Sequence, residues 1–152
     1  EVMACSQAEV EELVGIAFDE MGRDIHGKVM IIEDETIIAM DLKGIVQGMG
    51  HAVTGVARTH KAAVELADKD RPELILADIQ LADGSSGIDA VNEILGAMGE
   101  IPVIFITAFP ERLLTGERPE PAFLISKPYS EDQVRSALSQ AMFFASTEGM
   151  SV

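Results

Sequence analysis

The chain has 152 residues, 47 % of them hydrophobic, and a formal net charge of −15. That length supports one domain with a full core and a small appendage, and that hydrophobic content excludes a disordered chain. The acidity argues against nucleic acid and against an anionic membrane surface, since both need a basic face.

The single cysteine, Cys5, cannot form an internal disulfide, and no Cys/His cluster has zinc-site spacing. A reducing cytoplasmic setting is expected. No apolar run approaches the ~20 residues of a spanning helix. The N-terminus lacks the basic-then-apolar order of a signal peptide, and its start at Glu1 in mid-pattern suggests an excised fragment.

In chain order, Ser6 and Glu9 form a capping box. Val10, Leu13, Val14, Ala17, Phe18, Met21 and Ile25 then recur at three and four, one face of a helix. Its other face is acidic, with Glu9, Glu11, Glu12, Asp19, Glu20 and Asp24, and the plain reading is a solvated surface.

From Gly27 the pattern becomes strand–helix alternation. KVMIIE (Lys28 to Glu33) is too short for a helix and rich in branched residues. TIIAMDLKGIVQGM follows as a helix, with Thr36 as its N-cap and Gly50 just past its end. AVTGVA and ELILA are further strands, and THKAAVELADK and GIDAVNEILGAM are further helices. PVIFIT and AFLIS are the fourth and fifth strands. SEDQVRSALSQAMFFA is the last helix, opened by Ser130 with Gln133 as capping-box partner. Between strands four and five, Gly116, Pro119 and Pro121 allow only a shortened fourth helix. The class is therefore α/β, a doubly wound five-stranded parallel sheet.

Ligands of such sheets sit beyond the carboxyl ends of the strands. Those ends are Glu33-Asp34-Glu35, Asp78, Thr107-Ala108 and Ser126-Lys127-Pro128. Clustered carboxylates raise one another's pKa values or need a cation, and a hard divalent ion, Mg2+ above all, suits oxygen ligands. Lys127 and the Thr107 hydroxyl add a positive charge and a donor. Together they describe a phosphoryl site with one carboxylate as nucleophile. Taken singly, each has a plainer reading. Asp78 is then a loop aspartate, Glu33 and Asp34 helix-start acids, Thr107 a branched strand residue and Lys127 a solvated lysine. His26, His51 and His60 read as surface residues, and the methionines as core filler.

The constellation resembles the receiver domain of two-component response regulators over residues 27–145. The acid pair, Asp78, Thr107 and Lys127-Pro128 fall in the family's order, separated by 44, 29 and 20 positions. The resemblance implies a flavodoxin-like (βα)5 fold with strand order 2-1-3-4-5, the order of the single-domain chemotaxis receiver. It implies that Asp78 takes a phosphoryl group from a histidine kinase or phosphotransferase, with Thr107 and Lys127 on the phosphoryl oxygens. It places Mg2+ on Asp34, Asp78 and the Gln80 backbone carbonyl, with Glu33 acting partly through water, and it makes Lys127–Pro128 cis. No enzymatic turnover is expected beyond self-dephosphorylation.

A narrower likeness, in IFITAFPERLLTGERPEPAFLISKPYS, is to the PhyR family of alphaproteobacterial general stress-response regulators. Phe105, Thr107 and Ala108 meet its pattern at strand four. That family puts a sigma-factor-like domain before the receiver. The resemblance implies that residues 1–26 end a truncated sigma-like domain, 27–146 are the receiver and 147–152 a tail. It further implies an anti-anti-sigma role: phosphorylation frees the sigma-like domain to bind an anti-sigma factor of the NepR type. Leu124 stands where many receivers carry an aromatic ring, so the expected readout is docking against the N-terminal domain. The alternatives are a single-domain phosphorelay receiver, a receiver-like interaction module, and a haloacid-dehalogenase-type phosphatase. The last wants an acid two residues after the nucleophile, where Gln80 stands.

Overall fold

The computed structural model describes residues 27–81, 83–108 and 122–150. The expected first helix, the expected shortened fourth helix and the expected division at residue 26 fall outside the described residues.

Five strands form one sheet in the order β2-β1-β3-β4-β5. They are β1 (Lys28–Ile32), β2 (Ala52–Ala57), β3 (Leu74–Ala77), β4 (Val103–Thr107) and β5 (Ala122–Ser126). Every neighbouring pair is parallel. Four helices belong to the described residues: α1 (Thr36–Gly48), α2 (His60–Lys69), α3 (Gly87–Met98) and α4 (Glu131–Met150). The expected fold and strand order are those observed.

The strands' period of two distributes one run of apolar residues between two cores. Val29, Ile31, Leu74, Leu76, Ile104 and Ile106 join Leu42, Ile45 and Val46 of α1 and Val134, Leu138 and Ala141 of α4. Met30, Ile32, Ile75, Ala77, Val103 and Phe105 join Ala63 and Ala67 of α2 and Ala90, Val91 and Ile94 of α3. β3 and β4 are buried at every position, which is why they show no polar alternation. Burial of a large side chain such as Phe105 stabilises by roughly 1.5–3 kcal/mol.

Local chemistry sets the helix ends. Thr59 caps α2 by accepting from the Ala62 amide, and Ser86 caps α3 by accepting from Ile88 and Asp89. Gly99 ends α3 at φ 88, a left-handed backbone that suits glycine. The expected box opens α4: the Ser130 amide donates to Gln133 Oε1 at 2.8 Å, and the Gln133 amide donates to Ser130 Oγ at 3.2 Å.

Three expectations need correction. Thr36 is the first residue of α1, and Glu35 is its N-cap. α4 runs on to Met150, beyond the Ala145 at which the last helix is expected to end. His51 is buried rather than on the surface, and its Nδ1 accepts from the Gly27 amide at 3.3 Å. That amide lies just before β1, and the ring satisfies it inside the fold.

Candidate functional site

A parallel sheet delivers the carboxyl ends of all its strands to one edge, so residues far apart in the chain meet there. Glu33 follows β1, Asp78 follows β3, Thr107 ends β4 and Lys127 follows β5. Glu33, Asp78 and Thr107 are buried polar residues.

Lys127 occupies the centre. Its ammonium donates to Asp78 Oδ2 at 3.0 Å and to Glu33 Oε1 at 3.1 Å, and lies 3.8 Å from Glu35 Oε2. Backbone bonds brace the frame: the Asp78 amide donates to the Ile32 carbonyl at 2.8 Å, and the Lys127 amide donates to the Thr107 carbonyl at 2.8 Å. Asp78 Oδ1 accepts from the Ile79 amide at 2.6 Å, and Glu33 Oε2 from the Glu35 amide at 3.1 Å. Both oxygens of each buried carboxylate are therefore engaged. The Lys127–Pro128 bond is cis, as the family likeness implies.

The charges respond to this crowding. Burial is the largest influence on Glu33, and with the nearby Asp78 charge it pushes the carboxyl up to about 7, against the lowering effect of the Glu35 amide and Lys127. Burial works against the Lys127 charge, but the bonds to Asp78 and Glu33 outweigh it, and the ammonium is held above its usual value.

Of the residues singled out in the sequence, Glu33, Asp78 and Lys127 meet directly. Thr107 joins them through its backbone and its place beside Ser126. Asp34 is half-buried and stands outside the group of carboxylates that converge. That group is Glu33, Glu35 and Asp78, with ligand atoms all within 4.8 Å of one another. Glu35 is the site residue that the sequence pattern does not single out. An acid at an N-cap ordinarily turns to the first helical amides, but this side chain makes no capping bond. Gln80 lies two residues past Asp78 and is exposed. The short bridge there runs through the Ile79 carbonyl and Leu81 amide, not Gln80's own peptide.

Gly87 starts α3 directly against the Asp78 backbone. A Cβ there would lie 1.7 Å from the Asp78 carbonyl oxygen, so only glycine lets the start of α3 approach this closely. Its amide donates to the Ile79 carbonyl at 2.6 Å.

The donor set is all oxygen, and three carboxylates face one ammonium. An arrangement with surplus negative charge and hard donors fits a divalent cation such as Mg2+.

This fold and these strand-end residues define a receiver-type site, and the chain belongs to the response regulator receiver domain family, whose description matches residues 29–139. Within that family it is similar to the phyllosphere-induced regulator PhyR of Methylorubrum extorquens, 59 % identical over 138 residues, or 90 % of this chain and 51 % of that protein. The solution structure of the PhyR receiver domain of Erythrobacter litoralis is 57 % identical, with a TM-score of 0.73, covering 78 % of this chain and 92 % of that one. PhyR of Bartonella quintana, crystallised with the anti-sigma factor NepR, is 63 % identical with a TM-score of 0.54, covering 79 % of this chain and 49 % of that one. The chain spans about half the length of the curated relatives it matches. No helix among the described residues is long and apolar enough to cross a membrane.

Proposed function

We propose that this domain is a phosphorylatable switch with Asp78 as the phosphoryl acceptor. The observation that supports it best is the 3.0 Å bond between Lys127 Nζ and Asp78 Oδ2, made between the ends of two different strands. Asp78 Oδ1 is tied back to the Ile79 amide, so Oδ2, the oxygen facing Lys127, is the attacking atom. A new P–O bond forms as the donor's P–N bond to histidine breaks, and the leaving imidazole nitrogen takes up a proton. Lys127 balances charge on the phosphoryl oxygens, and the Thr107 hydroxyl at the end of β4 donates a hydrogen bond to them.

Mg2+ would be held by Asp78 and its acid neighbours, Glu33 and Glu35 by position, with Asp34 and the Gln80 carbonyl on the same rim. Bound there, it supplies charge neutralisation to the transferring phosphoryl group.

Intact mass after treatment with acetyl phosphate tests this reading. Wild type should gain one phosphoryl group only when Mg2+ is present, and Asp78→Ala should gain none. Labelling that persists in Asp78→Ala overturns the assignment.

The likeness to PhyR extends the reading to the whole protein. Residues 1–26 end a sigma-like domain and the receiver begins at residue 27. A cytoplasmic histidine kinase or phosphotransferase supplies the phosphoryl group. Phosphorylation then frees the sigma-like domain to hold an anti-sigma factor of the NepR type, the partner with which Bartonella quintana PhyR was crystallised. In a titration of the full-length protein with such a factor, affinity should rise on acetyl phosphate treatment and stay low for Asp78→Ala. Equal affinity in both states removes this extension.

A further inference from the structure

Tyr129 lies two residues past the lysine of the site, and its hydroxyl donates to Asp41 Oδ2 at 2.6 Å, across 88 positions of chain. Asp41 belongs to α1, the helix that starts directly after the acid run Glu33-Asp34-Glu35. The Tyr129 ring is partly buried against the core formed with α1 and α4. Burial and the Asp41 charge raise its pKa, so the hydroxyl keeps its proton and remains the donor.

The segment from Lys127 to Ser130 is thus pinned on several sides. The Lys127 amide binds β4, and Ser130 is fixed by the capping box of α4. Two further ties run from this segment, to the acids at the ends of β1 and β3 and to α1. The inner tie is the Lys127 ammonium on Glu33 and Asp78, and the outer tie is Tyr129 on Asp41.

These ties respond differently to a cation. A divalent ion placed among the carboxylates competes with the Lys127 ammonium for the same oxygens and weakens the inner tie. Asp41 is outside that carboxylate group, so an ion held there does not compete for the acceptor of the outer tie. A lysine side chain is long and flexible, so its reach depends on where its backbone is held.

We propose that the Tyr129–Asp41 hydrogen bond is a strut that holds the Lys127 loop against α1 when the inner ion pairs give way. Tyr129 and Asp41 are then positioning residues for Lys127. They touch neither the phosphoryl group nor the metal. This rests on the reading of Asp78 as phosphoryl acceptor.

The test is the rate of acetyl phosphate labelling at saturating Mg2+, followed by intact mass, with a thermal melt of each variant. Tyr129→Phe keeps the ring and its packing, and Asp41→Asn keeps an acceptor oxygen. Tyr129→Phe and Asp41→Ala should each slow labelling three- to ten-fold. Asp41→Asn should stay within twofold of wild type, and Tyr129→Phe/Asp41→Ala should be no slower than the worse single variant. A purely structural Tyr129 would lower the melting temperature and leave the rate of the folded protein unchanged. Wild-type rates in Tyr129→Phe, or rate losses that multiply in the double variant, overturn the strut and leave the acceptor reading standing. Failure of wild type itself to label overturns both.

Discussion

Lys127 Nζ and Asp78 Oδ2 lie 3.0 Å apart although 49 positions of chain separate them. Both side chains are nearly buried, at 11 % and 7 % exposure, so this ion pair is not a screened surface contact. With Glu33 at 1 % exposure on the same ammonium, it couples the charge of the site to the stability of the domain.

Removing the ammonium leaves two buried carboxylates facing each other. Lys127→Ala should lose about 3 kcal/mol at pH 8 without metal, read by urea unfolding. The loss should shrink at pH 6, where Glu33 takes up a proton, and Mg2+ should restore part of it. A variant as stable as wild type at pH 8 would show that the pair contributes nothing.

The raised pKa of Glu33 makes a second prediction. Its folded value is about 7, against an ordinary 4.5, so the fold favours the protonated form. This contribution is fully present below about pH 4.5 and is lost as pH rises through about 7, on the order of 3 kcal/mol. Metal-free protein should therefore weaken over that window relative to Glu33→Gln, which should lack this component. Mg2+ binding has the opposite slope, because it needs the ionised carboxyl. Affinity should rise between pH 6 and pH 8, and calorimetry at the two pH values reads it directly.

Glu35 adds a third. Its carboxylate lies within 4.8 Å of those of Glu33 and Asp78, while its side chain is 62 % exposed. Glu35→Gln should weaken Mg2+ binding three- to ten-fold with little change in melting temperature. Unchanged affinity by calorimetry would show that this acid only borders the site.

Gly87 supplies a structural prediction at the same place. A methyl group there meets the Asp78 carbonyl at 1.7 Å, and backbone cannot give way as a side chain end can. Gly87→Ala should cost about 2 kcal/mol or more in denaturant unfolding and should slow labelling of Asp78. Retention of both stability and rate would mean that the loop shifts freely.

Much of this is legible in the chain itself. Short apolar runs such as LILA and VIFIT, alternating with amphipathic segments, specify a parallel sheet covered on both faces, because buried strands need no polar alternation. Strand ends in such a sheet share one edge by geometry, so position gathers Glu33, Asp34, Asp78, Thr107 and Lys127 there as candidates, without saying which of the acids converge. The Ser130–Gln133 box is readable because its partners are three residues apart and interact within one turn.

Tertiary packing decided the rest. Whether Glu35 caps α1 or turns to Lys127 depends on an ammonium that arrives from β5, and no local pattern reports it. Burial of His51 depends on the amide of Gly27, 24 positions earlier, which needs an acceptor inside the fold. The bond between Tyr129 and Asp41 depends on how α1 seats beside the lysine loop. Sequence alone determined which elements form and which edge gathers the chemistry, since those follow from local periodicity and chain direction. The pairing of individual charges belonged to the folded structure, because distances between side chains remote in the chain exist only once the sheet has assembled.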